Sequence, residues 1–154
     1  MTYNAQFPHQ RLDAYRVAVD LAVQVEGIAG RLPRGYGDLR DQLRRAAGSI
    51  VRNIAEGANR HRPRDKAARF TIAQGECGEA DASLELAERF GLVAAVEARS
   101  ARELAGRVGA MLMGLIQLQQ NELDERPAKK RPSAQLPHDN ENENENENEA
   151  TDRE

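Results

Sequence analysis

Residues 42–57 read QLRRAAGSIVRNIAEG, and this stretch decides the fold. Wound at helical spacing, Leu39, Leu43, Ala46, Ala47, Ile50 and Ile54 fall on one side, Arg45, Gly48 and Arg52 fall opposite, and Ser49, Asn53 and Glu56 follow the border. Such a helix faces a core on one side. Along the border a hydroxyl, an amide and a carboxylate need partners wherever packing excludes water, because an unpaired buried polar group is costly. The simplest reading of Arg44, Arg45, Ser49, Asn53 and Glu56 is a hydrogen-bonded seam between helices or subunits, with Glu56-Gly57 fixing the helix end and the following turn.

Three further segments share the period. Residues 11–29 place Leu12, Tyr15, Val19, Ala22, Val25 and Ile28 at three- and four-residue spacings, and Gly30 to Gly37 with Pro33 end that run. The quoted helix spans residues 38–58, with Asp38 offering its carboxylate to the exposed amides of the first turn. A third begins at Pro63, whose missing amide hydrogen costs nothing in a first turn, and continues to Phe90, where Gly91 supplies a stop. Residues 93–120 carry Ala101, Leu104, Val108, Met111, Leu115 and Leu118 on one face, and their start has no polar cap. No segment alternates long enough for a sheet. Short connections suit antiparallel neighbours, so the prediction is an all-α, up-down-up-down four-helix bundle over residues 11–123, after an arm at 1–10.

With 154 residues there is room for one domain, and aromatics at 4% with no Trp point to close helix packing around small residues. That favours oligomerisation over a large monomeric core. The single Cys77 has no internal disulfide partner, and no apolar leader opens the chain, so the expected compartment is the cytoplasm. The most apolar late run, residues 108–118, is far short of the roughly 20 residues a bilayer span needs.

Charge is unevenly spread. Residues 139–154 hold eight acids and one arginine, so the net charge of −3 hides a body, residues 1–138, at +4. Nine basic residues against three acids lie between Arg40 and Arg69. Arg52, Arg60, Arg62, Arg64, Lys66 and Arg69 form a band around the second turn suited to phosphates, and a patch of this density attracts polyanions. The competing structural reading pairs Arg44, Arg45 and Arg52 with Glu76, Glu79, Asp81 or another subunit's acids, while their stems cover apolar surface. No aromatics interleave, so base stacking and sequence readout are not indicated. The Asn-Glu alternation of the tail, within residues 124–154, buries no apolar surface, and its composition predicts disorder. The tail is then a solvated appendage or a self-screening polyanion that competes for the basic patch.

Catalytic chemistry is poorly motivated. His9, His61 and His138 are scattered, and no zinc-ligand spacing occurs. Gly75 and Gly78, and Gly106 and Gly109, lack phosphate-loop context and are expected at close helix contacts. Cys77 sits on the apolar stripe as a small buried thiol. Glu76, Glu79 and Glu85 lack the Glu-x-x-His motif of di-iron bundles, so they are read as a solvated face pairing with arginines. No catalytic residue, metal or cofactor is assigned.

The order Gln-Leu-Arg-Arg-Ala-Ala at 42–47, Ser49-Ile50, Asn53-Ile54-Ala55-Glu56-Gly57, then Arg69-Phe70 and residues 87–92, resembles the bacterial four-helix-bundle proteins encoded within ribosomal RNA intervening sequences. The resemblance runs from about Phe7, through Leu12 and Leu32-Pro33, to the end of the fourth helix. It implies a small cytosolic bundle that assembles into a ring, a pentamer, and brings no settled activity. Related accessory proteins of diversity-generating retroelements bind nucleic acid and a reverse transcriptase, which makes both partners by analogy. The expectation is a non-enzymatic, self-assembling bundle that binds RNA or DNA through its basic surface. The alternative is a structural or adaptor protein whose partner is an acidic protein.

Overall fold

The computed structural model describes residues 7–125, so the segment expected to be a disordered tail lies almost wholly outside the described residues. Among these residues there are four α-helices and no strand: α1 (Asp13–Arg31), α2 (Gly37–Asn59), α3 (Pro63–Arg89) and α4 (Ala95–Asp124), with 3-10 turns at Pro8–Arg11 and Arg34–Tyr36. Partners descend one helix as they ascend the next. Glu26 meets Arg44 and the Ala29 carbonyl meets Arg40 between α1 and α2; Arg45 meets Glu79 and Ser49 meets Glu76 between α2 and α3. Cys77 abuts Gly109 and Asp81 meets Arg102 between α3 and α4, while Gln24 and Arg31 of α1 reach Ser100 and Glu97 of α4. Neighbours are therefore antiparallel, and α1 closes against α4.

The core follows the aliphatic stripes. Leu21, Val25, Ile28, Leu43, Ile50, Ile54, Leu84, Val108 and Leu112 are fully buried, with Ala18, Ala46, Ala73, Ala80, Ala101 and Ala105 between them. Alternating large and small side chains lets the helices approach closely. Each buried Leu or Ile contributes about 1.5–3 kcal/mol relative to exposure, so this stripe outweighs the surface ion pairs, whose median contribution is about 0–1 kcal/mol.

Helix ends are set mostly by backbone. None of the four helices has a side-chain N-cap hydrogen bond. The expected role of Asp38 as a cap is corrected: α2 starts at Gly37 behind the 3-10 turn Arg34–Tyr36, and Asp38 lies inside the first turn, where its charge still favours the positive helix end. Gly91 stops α3 as expected. Its φ is +70°, and Leu92 N–H donates to the Ala87 carbonyl at 3.0 Å while Gly91 N–H donates to Glu88 at 2.9 Å, the doubled closure of a Schellman motif.

Two glycine expectations change. Gly57 does not turn the chain; it is buried within α2, where an added Cβ would come within 2.7 Å of Phe70 Cε1. Its lack of a side chain admits the Phe70 ring. Gly75, Gly78 and Gly106 are exposed and a Cβ on any of them meets nothing, so they are not contacts between these helices; only Gly109 touches a neighbour, Cys77 Cβ at 3.9 Å. No helix among the described residues is long and apolar enough to cross a membrane.

Candidate nucleic-acid interface

A hydrogen-bonded seam joins α2 to α3. Asn53 Nδ2 donates to the Ser49 carbonyl at 2.9 Å and to Ser49 Oγ at 3.1 Å, and Ser49 Oγ donates to Glu76 Oε1 at 3.0 Å. Glu76 Oε2 is out of solvent contact and has no hydrogen-bond partner among the described residues. Arg45 pairs with Glu79, and Arg44 turns the other way, to α1, gripping Glu26 through two hydrogen bonds of 2.8 and 2.6 Å. That guanidinium holds the Glu26 carboxyl below its ordinary range. Of the five seam residues, then, Arg45, Ser49 and Glu56 reach α3, Asn53 joins them through Ser49, and Arg44 goes to α1 instead. Glu56 is also apart from the Ser49 network, taking Arg60 and, at 3.2 Å, Arg69.

Nothing in this seam is poised as a nucleophile. Burial, helped by the neighbouring Glu76 charge, pushes the Cys77 thiol up to about 12, so it is protonated at neutral pH. Among the described residues no group of three His, Cys, Asp or Glu is placed to hold a metal ion.

The cations gather at the turn that follows. Arg60 closes α2 and Arg62 precedes α3, both in extended backbone, and Pro63 is buried at the first helical position. Proline requires that extended conformation of its predecessor, and the Arg62 carbonyl accepts the amides of Asp65 and Lys66, both at 3.0 Å. The local sequence thus fixes the Cα positions from which the side chains project. Arg62 and Arg64 are exposed and Lys66 is half-buried, and none of the three forms an ion pair among the described residues. Arg60 and Arg69 differ, being tethered to Glu56, and with Asp65, Ala68 and Ile72 they line a shallow concavity of about 410 Å³.

Arg52 is not brought to the turn. It sits eight residues before Arg60, about 12 Å along the helix axis, on the outward face. Its guanidinium lies back over Gly48, where an added Cβ would be 2.8 Å from Nη1. The six-residue band is therefore three unpaired cations at the turn, two held by Glu56, and one apart.

Two contacts were missed in the sequence. Arg40, counted there as part of a basic patch, instead donates to the carbonyls of Ala29, Leu32 and Pro33 at 3.3, 2.6 and 3.2 Å, closing the end of α1. Cation donors near a helix C-terminus are a known signal, but here the donor is seven to eleven residues downstream. His9, treated as an isolated arm residue, packs its ring between Phe7 and Tyr15, and its Nδ1 lies 3.1 Å from Asn59 Nδ2. The arm from Phe7 is therefore docked beside the end of α2.

The profile of the 23S rRNA-intervening sequence protein family matches residues 10–114. Among solved structures, a crystal structure of a protein of unknown function from the S23 ribosomal protein family of Bacteroides thetaiotaomicron superposes with a TM-score of 0.63 at 21% identity, covering 67% of this chain and 97% of that one. At that identity the likeness concerns the fold. No curated protein matches the chain. With helices in the order and spacing described, and with more than half its length matched, the chain belongs to the 23S rRNA-intervening sequence protein family.

Proposed function

We propose that this chain is a non-enzymatic, cytoplasmic bundle that assembles with copies of itself and binds RNA or DNA through the α2–α3 turn. The observation that carries the nucleic-acid reading is the trio Arg62, Arg64 and Lys66, which has no carboxylate partner among the described residues, while Arg44, Arg45, Arg60, Arg69 and Arg102 all do. Unpaired cations at the positive end of a long helix suit phosphate oxygens, which position nucleic acid without reading its bases. The tied-up Ser49 hydroxyl and the protonated Cys77 thiol support the non-enzymatic part.

Self-assembly is supported by a different face. Thr71, Ile72, Gly75, Gly78, Ala82 and Leu86 run along the outside of α3, exposed and uncharged, with Ile72 and Leu86 each nearly half accessible. A ring of five is the form implied by the family resemblance.

Fluorescence anisotropy with labelled single- and double-stranded RNA and DNA tests the nucleic-acid reading. About three phosphate contacts per chain give a log–log salt slope of about −2 to −3, with little sequence preference. The Arg62→Glu/Arg64→Glu double variant abolishes binding with its helical circular dichroism intact. If the natural protein shows no binding above background at low salt, the turn serves an acidic protein partner instead.

A further inference from the structure

The last turns of α4 lie beside Lys66. Leu118, Gln119 and Glu122 in the last turns of α4 line one concavity of about 290 Å³ together with Ala58 of α2 and Lys66 and Phe70 of α3. The end of α4 and the start of α3 thus share one end of the molecule. Thirteen residues separate Glu125 from Asp139. Such a length spans up to about 50 Å, several helix diameters, so reach sets no limit.

We propose that residues 139–154 form a built-in polyanion that seats on the α2–α3 turn at Arg62, Arg64 and Lys66 and competes there with nucleic acid. The charge pattern of the segment fits that surface. From Glu141 to Glu149 every second residue is glutamate and every spacer is asparagine. A polyanionic surface ligand with this alternation has, when drawn out along a surface, one carboxylate for about every 7 Å of chain. One strand of duplex nucleic acid carries a phosphate about every 3.4 Å, so the segment is a linear polyanion of roughly half that density. The asparagines add no charge and no apolar surface that would seek the core.

The body shows what its arginines do when a carboxylate is in reach. Arg44 takes Glu26, Arg102 takes Asp81 and Glu85, and Arg60 and Arg69 share Glu56. Arg62, Arg64 and Lys66 stand without such a partner among the described residues, on the end from which eight further acids are tethered. Tethering makes the contact intramolecular, with effective concentrations that reach the millimolar range, so individually weak ion pairs suffice to occupy the turn. Nucleic acid must then displace the segment. Both contacts are ionic and exposed, and salt weakens both. Arg126, Lys129, Lys130 and Arg131 lie nearer in sequence and are the rival seat for the same carboxylates. This inference rests on the turn being a polyanion-binding surface.

The full-length chain offers a direct test, because its lysines are three: Lys66, Lys129 and Lys130. Carbodiimide joins a carboxylate to an amine only when they touch. At low salt and without nucleic acid, the expected product is an amide between Lys66 and a glutamate of residues 141–149, identified by mass spectrometry and lost at about 0.5 M salt. In a second measurement Glu141, Glu143, Glu145, Glu147 and Glu149 are all changed to Gln in the full-length chain. This variant binds labelled single-stranded RNA or DNA about tenfold more tightly than the natural chain at low salt, and the gap narrows as salt rises. Cross-links confined to Lys129 and Lys130 overturn the inference, and so does equal nucleic-acid affinity of the two proteins when both bind. A Lys66 cross-link with no binding by either protein keeps the segment on the turn and overturns the nucleic-acid reading instead.

Discussion

At Gly57 and Gly114 the same residue type in a helix interior meets opposite surroundings. A Cβ at Gly57 would sit 2.7 and 2.9 Å from two carbons of the Phe70 ring and 3.1 Å from Arg69 Cβ, whereas one at Gly114 meets nothing within 4 Å. Alanine gains up to about 1 kcal/mol of helix propensity at either site, but at Gly57 a rigid ring must move, and overpacking costs about 1–3 kcal/mol. Gly57→Ala therefore lowers the denaturant midpoint and Gly114→Ala raises it, with unchanged m-values. Cys77 gives a second check at this scale. Burial lifts it from the ordinary thiol value of 9.0 to about 12 in the folded chain, so its contribution to stability is complete below pH 9 and is lost as pH rises through 12. At pH 8 the folded thiol stays inert to alkylating reagents and reacts only when the chain is unfolded in denaturant; prompt alkylation of the folded protein contradicts its burial.

At the scale of elements, what was legible in the sequence was what repeats or what acts locally. The stripe from Leu43 to Ile54 and the Pro63 and Gly91 signals are local chemistry, and the helices begin and end within a few residues of where they indicate. What was not legible depends on side chains meeting across the bundle. Arg40 read as one more charge because its acceptors, the carbonyls at Ala29, Leu32 and Pro33, belong to a different element. The outward direction of Gly75 and Gly78 depends likewise on the rotation of α3 against two neighbours, which spacing alone leaves open. Arg40→Ala leaves the terminal carbonyls of α1 without this charged donor, and a hydrogen bond to a charged group contributes about 1.5–3 kcal/mol. The expected loss is at the low end of that range because water reaches part of the site. Hydrogen exchange of amides in the last turn of α1 accelerates before the rest of the bundle does; uniform acceleration would show that Arg40 serves the whole fold rather than this helix end.

For the whole molecule, ion pairs lace every seam between neighbouring helices: Arg44 with Glu26, Arg45 with Glu79, Arg102 with Asp81 and Arg31 with Glu97. Exposed pairs of this kind contribute little stability, and their effect is to oppose slippage of one helix against the next. The outer face of α3 is built differently. From Thr71 through Gly75, Gly78 and Ala82 to Leu86 it offers small and apolar groups and no charge, the composition that lets a second helix come close. If copies of the chain meet there, a long cation at its middle separates them without touching the core, because Ala82 is exposed. Light scattering coupled to size exclusion then gives a mass several times the 17.1 kDa of one chain for the natural protein and a single-chain mass for Ala82→Arg. Far-UV circular dichroism of the two should coincide. A natural protein that runs as a stable monomer at micromolar concentration removes self-assembly from the proposed function, while an Ala82→Arg variant that still assembles moves the contact to another face of the bundle.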